Sequence, residues 1–592
     1  MIENGWLSQA RFHKGVLLLF ILGIIFISSG IGRPLLAVQA QSGGQAGSRR
    51  IYLPNVFQSA AGANLPDLAI QRVEVTQAVQ DANNSVPLVA GRSTLLRIYA
   101  VNAGGSQSIP GVNVAIVGGS GESLIEGAQQ QMTAAIHPSA NPALYSSTIN
   151  FLLPPAWTSG SYDLRVSLDS NNAIAESNEG NNTQVVRLNF NAVPPLRIMI
   201  VPIAYTSTET GTFYSAPTED TISDMIQRMY PVGQVEVTWH APYAFTGNLK
   251  ELGGFSSLLS QINALKTSEQ APSTQVYYAL VPTRAGASSW FQGGLVGLGY
   301  IGSRAAVGLD YSNAGATAAH EIGHNLGRYH APCGNPSSPD AAYPYPGAVI
   351  GQYGLDLVSG ALFGPNDGRD IMSYCAPKWV SDYTYQGLMN AMLSSRPTAS
   401  LNGEGEVLSG ADSARPVWLV RAQIGTEGAD FFPIYPVDGV PTPAAEASPY
   451  RLQWIGLDGA LVSEAPYAAL EIATETDAAL FEVQALVEIP AVPVRAVRLM
   501  RDGVLLAEQV LQAPPLAQTG AQEAFEGPAV RAEEISAGLR LYWDAPGPVM
   551  VRFSADGGRS WQILAADVSG GMLLADASLQ GSQFQVIPAY SE

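Results

Sequence analysis

The string HEIGHNLGRYH, residues 320–330, constrains this chain more than any other part of it. The protein has six histidines in 592 residues, and His320, His324 and His330 all fall within this stretch. The surrounding GATAAHEIGHNL contains no proline and fits a helix. On a helix, His320 and His324 are four residues apart, so they leave from one face and can bind a single ion. Glu321 lies next to His320 and points beside such an ion, the position of a general base acting on an activated water. Gly327 follows His324 by three residues, where a positive φ ends the helix and turns the chain. The turn lets His330 approach from another direction. Three neutral nitrogens leave one tetrahedral position open, as in a catalytic rather than a structural zinc site. His324 alone would read as a satisfied helix histidine; three histidines at this spacing with Glu321 do not.

A second element lies downstream. RDIMSYCAPKWVSDYTY places Met372 in a short turn, with Tyr374 two residues on. HExxHxxGxxH followed by such a Met-turn resembles the metzincin zinc endopeptidases. The resemblance spans about Leu196 to Ser400 and is tight only at the site motifs. It implies one catalytic Zn2+ held by His320, His324 and His330, with Glu321 as base and Met372 as the hydrophobic floor. Tyr374 matches the Met-turn tyrosine of the astacin and serralysin branches, which ligates zinc or hydrogen-bonds the tetrahedral intermediate; plain packing is its other reading. The subfamily stays unassigned. Ala331, Pro332 and Cys333 follow His330 where astacins carry an acidic residue, and no cysteine precedes this module to impose latency by a propeptide thiolate.

The resemblance further implies hydrolysis of extended protein or peptide substrates, which pair as an added strand with the sheet edge just before the active-site helix. GLGYIG, Gly297 to Gly302, is the expected edge. Cys333 and Cys375 flank the last ligand and the Met-turn. As the only cysteines of an exported chain they suggest one disulfide, which would pin the two halves of the site; two unpaired buried thiols are the alternative.

A chain this long predicts three or more domains. Arg11, His13 and Lys14 precede the uncharged run Gly15 to Gly32, and small residues follow at Ala37 to Ala40. This reads as a signal peptide over 1–40, hence a secreted protein, with an uncleaved membrane anchor as the alternative. Residues 41–64 read as linker. Over 65–192, short period-two runs broken by Gly, Asn, Pro and Ser predict an antiparallel sandwich. AGRSTLLRIYAVNAG and LDSNNAIAESNEGNNTQVV there resemble the bacterial cell-adhesion-related domain, CARDB, which implies an immunoglobulin-like module and no chemistry. The ESNEGNN words could hold Ca2+, though nothing further supports it and a polar hairpin is the plainer reading.

Residues 195–400 mix strand and helix patterns, 403–514 read as another β-sandwich, and 526–592 as a small β-module. SADGGRSW in the last fits an Asp-box hairpin, a structural device in many β-modules. The expected fold is therefore multidomain: an α+β metzincin catalytic domain flanked by immunoglobulin-like all-β sandwich domains. Charged residues make up 13%, with a net charge of −19 and no basic stripe, so nucleic acid is not an expected partner. The sandwiches could bind a cell-surface or extracellular-matrix ligand. The expected function is a secreted zinc metalloendopeptidase; the alternative is an exported adhesion protein whose metzincin module is weakly active or inactive.

Overall fold

The computed structural model describes residues 65–591, apart from 121–122, 284–290, 292–293, 396–413, 475–478, 513–526 and 546. The signal and linker expected over 1–64 lie outside the described residues. Among those described, no helix is long and apolar enough to cross a membrane.

The first sandwich packs a three-stranded sheet (Leu68–Thr76, Leu95–Asn102, Ile149–Leu152) on a five-stranded one that includes Ile109–Ser120, Ser161–Leu168 and Thr183–Asn191. Alternation explains the pairing. In Ser161–Leu168, Tyr162, Leu164, Val166 and Leu168 point inward while the residues between them are half-buried or exposed.

Beyond it, one sheet of twelve strands runs through most of the rest of the chain. Its principal strands are β1 (Leu196–Ser207), β2 (Gln275–Pro282), β3 (Gly297–Ile301), β4 (Ala305–Asp310), β5 (Arg415–Ile424), β6 (Ala469–Ala473) and β7 (Leu480–Glu488), in the spatial order β1-β2-β4-β3-β6-β7-β5. β1, β2 and β4 are parallel, and β3 turns back antiparallel to β4. The parallel strands are near-continuous apolar runs, VYYALV in β2 for example, because both faces are covered. Helices α1 (Ser223–Met229), α3 (Ala314–Asn325) and α4 (Asp382–Ser394) share a core with one face, and α2 (Leu252–Ser268) packs on the other. A four-stranded sheet closes over β5 and β7 through Trp418, Val420, Leu452, Trp454 and Val497, and two three-stranded sheets form the C-terminal unit.

This corrects the expected fold class. The described residues are 44% strand and 13% helix, with four α-helices among them, and form an all-β multidomain protein rather than an α+β metzincin domain between separate sandwiches. The physical reason is continuity. The sheet carrying the histidine helix does not end at β3 but runs on through β6, β7 and β5, strands supplied by residues beyond 400. The expected edge, Gly297 to Gly302, is likewise corrected: β3 is an interior strand, paired with β4 on one side and β6 on the other.

Candidate metal centre

Helix α3 carries His320, Glu321 and His324, all buried. Its packing is set by small residues. A Cβ on Gly297 or Gly299 of β3 would lie 2.5 Å or 3.3 Å from the Glu321 carboxylate, so bare backbone there is what lets the helix and its acid sit down on the strand. Asn325 secures the end of the helix by donating to the carbonyls of Tyr300 and Ala305, both at 2.9 Å. Gly327 then takes φ +78°, its amide donating to His324 O and that of Arg328 to Gly323 O, which together close the helix in a Schellman motif. The chain reverses and brings in His330, which is also buried.

The three imidazoles converge. His324 Nε2 lies 3.1 Å from His320 Nε2 and 3.1 Å from His330 Nε2. Each Nδ1 faces a main-chain carbonyl: Ile371 O at 2.8 Å, Arg328 O at 2.7 Å and Ser337 O at 3.3 Å. Those partners place the proton on Nδ1 and leave each Nε2 a lone pair, so three acceptors face one another. Burial, reinforced by the neighbouring histidines, holds His320 and His324 well below the usual imidazole range, and burial pushes His330 down to about 4. All three are therefore neutral near pH 7. Three converging lone pairs are repulsive unless a cation lies among them. Their spacing matches the separation of about 3.3 Å that ligands at about 2.05 Å from a tetrahedral zinc require. Among the described residues this is the one group of three His, Cys, Asp or Glu side chains placed to hold an ion. The residues present fit zinc.

Met372 lies under the helix, almost fully buried, and a Cβ on Gly323 would lie 2.4 Å from its sulfur. Its carbonyl accepts from Ala331 N at 3.0 Å, tying the turn to the residue after His330. Tyr374 places its hydroxyl 2.9 Å from His330 Nε2. Cys333 and Cys375 form a disulfide. Gly334, at φ +88°, lets the chain pass against Tyr374, where a Cβ would lie 2.7 Å from that residue's own.

Two supports were not read from the sequence. Asp370, fully buried, accepts from Met372 N at 2.8 Å and Ser381 N at 3.0 Å, which anchors the turn whose Ile371 carbonyl orients His320. Burial raises its pKa, and these hydrogen bonds oppose the rise. Ser337, whose carbonyl faces His330, is the second. The DIMS pattern signals Asp370, because an Asp two residues before a turn amide is an Asx-turn former; nothing local signals Ser337. Elsewhere, Glu176 of ESNEGNN accepts from Leu68 N and Asn182 Nδ2, which braces its loop, and Asp556 accepts from Arg559 N and Ser560 N within the Asp-box hairpin.

A CARDB family model matches residues 99–186, so the first sandwich contains a CARDB domain. No curated protein matches the chain. Among solved structures, a CARDB domain from Pyrococcus furiosus, crystallised with di-metal ions, is 18% identical and covers 22% of this chain and 96% of that one, with a TM-score of 0.16. A domain of a putative cell surface protein from Methanosarcina acetivorans is 20% identical over 22% of this chain and 93% of its own, with a TM-score of 0.15. A Paenibacillus cycloisomaltooligosaccharide glucanotransferase is 11% identical over 36% of this chain and 28% of its own, also with a TM-score of 0.15.

Proposed function

We propose that this protein is an exported zinc-dependent endopeptidase acting on extended segments of extracellular proteins. One observation carries the reading: three buried, neutral imidazoles present their Nε2 lone pairs to a common point, and buried Glu321 follows the first of them on the same helix. The likeness to metzincins lies in the site motif and not in the fold class.

His320, His324 and His330 would hold the ion, and zinc in such a site supplies a Lewis acid that acidifies a water and polarises a peptide carbonyl. The carbonyls of Ile371, Arg328 and Ser337 keep the three rings in the ligating tautomer. Glu321, held against the bare backbone of Gly297 and Gly299, takes the proton from the attacking water and returns it to the leaving amine. Tyr374, its hydroxyl at the rim of the cluster, donates to the oxyanion that develops on the substrate. The CARDB-containing sandwich serves as a binding module for a cell-surface or matrix ligand.

The test compares wild type with Glu321→Gln for casein cleavage and zinc content. The variant should keep one zinc per chain and lose at least about 10³-fold in kcat/KM. Equal cleavage by both, or a wild type without zinc, would sink the proposal. The CARDB domain favours a second reading, an adhesion protein with an inactive site; it predicts zinc in both proteins and cleavage by neither.

A further inference from the structure

We infer that strand β6 is a built-in competitor for the substrate, so that the full-length protein rests in a self-blocked state. The inference rests on the peptidase reading above. β3 borders the histidine helix and touches Glu321 through Gly297 and Gly299. A strand added to its free side lies about 4.8 Å away, where an extended substrate would find main-chain partners beside the base. That side is taken. β6 pairs there antiparallel, Gly299 opposite Ala473, Tyr300 opposite Ile472 and Ile301 opposite Glu471.

The contact extends to residues that adjoin His330. Beyond β6, the Thr474 carbonyl accepts from Ser337 Oγ, and the carbonyl of that same Ser337 faces His330 Nδ1 at 3.3 Å. On the other flank Tyr329, next to His330, donates to Glu471 at 3.2 Å. Between His330 and Ile472 to Thr474 a small groove remains, partly open to solvent, with a volume of about 30 Å³. Ile472 is buried among Leu298 and Tyr300, as a substrate's aliphatic side chain would be.

The attachment is also reversible in kind. β7 is held to β5 by eight register pairs, and its Glu482 accepts from Tyr300 and Ser260 in the interior. β6 meets β3 at three pairs plus the two side-chain hooks. An incoming extended peptide with an aliphatic residue opposite Tyr300 can remake the pairs of β6 with β3 and with β7 as it displaces that strand, so that the two hooks are the hydrogen bonds the exchange gives up. The C-terminal half stays docked through side chains while β6 yields, Glu482 accepting from Tyr300 and Ser260 and Gln484 donating to Thr267.

The test uses the zinc-loaded full chain. Ser337→Ala/Tyr329→Phe removes both hooks and leaves the ladder. Ala473→Pro breaks the ladder at the position that pairs with β3 alone. Casein cleavage is measured for each, with hydrogen exchange of amides 471–473 before and after adding a peptide hydroxamate of extended form. A site closed nine-tenths of the time gains about ten-fold in kcat/KM when released, so both variants should cleave faster by about that factor at equal zinc content. The hydroxamate should speed exchange across 471–473 in wild type. Should Ala473→Pro fail to fold, the double variant and the exchange experiment decide. Casein cleaved equally by all proteins, with exchange unmoved by the hydroxamate, overturns self-blocking and leaves the peptidase reading intact. Exchange accelerated by the hydroxamate while no protein cleaves casein overturns the peptidase reading and self-blocking with it, leaving β6 a displaceable strand beside the histidines.

Discussion

Tyr374 stands against two ligand rings, its centroid 5.8 Å from that of His320 and 5.0 Å from that of His330. Packing and chemistry can be separated by removing one oxygen. Tyr374→Phe keeps the ring contacts and should keep zinc, yet lower kcat by about 10- to 100-fold with little change in KM if the hydroxyl serves only the developing oxyanion. An unchanged kcat would assign the residue to packing. At this scale most of the site was legible. His320, Glu321, His324, Gly327 and His330 follow from helix geometry and a glycine stop, both local properties. The carbonyls of Ile371 and Ser337 that fix two of the tautomers were not, because every residue carries a carbonyl and only the tertiary fold chooses which one faces a ring.

Among elements, the Met-turn and α3 are fitted to each other at Gly323. An added methyl would gain about 1 kcal/mol of helix propensity, but it would sit 2.4 Å from Met372 Sδ in a closed core, where overpacking costs about 1–3 kcal/mol. Gly323→Ala should therefore push the turn away and weaken zinc binding by about ten-fold, measured by competition with a chelator. Unaltered affinity would show that the floor does not position the ligands. The disulfide, which closes a separation of 42 residues across the same turn, contributes about 4 kcal/mol by restricting the unfolded chain. Strands with strict alternation and the helix around HEIGH were readable from period alone. β6 was not: ALEIA mixes alanines with one acid and two aliphatics and gives a weak period, and its partner lies about 170 residues earlier. Nor could GLGYIG declare itself interior, since whether a strand is an edge depends on a neighbour and not on its own residues. α4 was missed because Tyr, Thr and Gly dilute its propensity; Ser381 caps it by accepting from Thr384 N.

For the whole molecule, the error in fold class came from reading modules one at a time. The join between them is partly polar and titratable. Glu482 on β7 is fully buried, accepts from Tyr300 at 2.6 Å and Ser260 at 2.9 Å, and is pushed up to about 7 by burial, against those hydrogen bonds and Arg421. The folded state therefore holds its proton more tightly than the unfolded chain, whose carboxyl titrates near 4.5. Its contribution is fully present below about pH 4.5 and is lost as pH rises to about 7, on the order of 3 kcal/mol across the window. Comparing Glu482→Gln with wild type by thermal unfolding at pH 5 and pH 8 checks this. The gain of wild type on acidification should exceed that of the variant, and equal gains would contradict the assignment.

The seam at the other end has a different character. Trp379 donates to Ala78 O at 2.8 Å, Tyr353 and Gly354 pair with Gln80 and Val79, and buried Arg92 donates to the carbonyls of Gln227, Arg228 and Val232. These contacts join the CARDB-containing sandwich to the unit that carries the histidine helix through main-chain and buried side-chain hydrogen bonds. On the peptidase reading, a head on a loose tether would sample every bond within its reach, whereas one joined by such a seam would work at a set distance from its anchor. On that same reading, the surface bound by the sandwich would set which bonds the site meets, as a jig sets where a tool cuts.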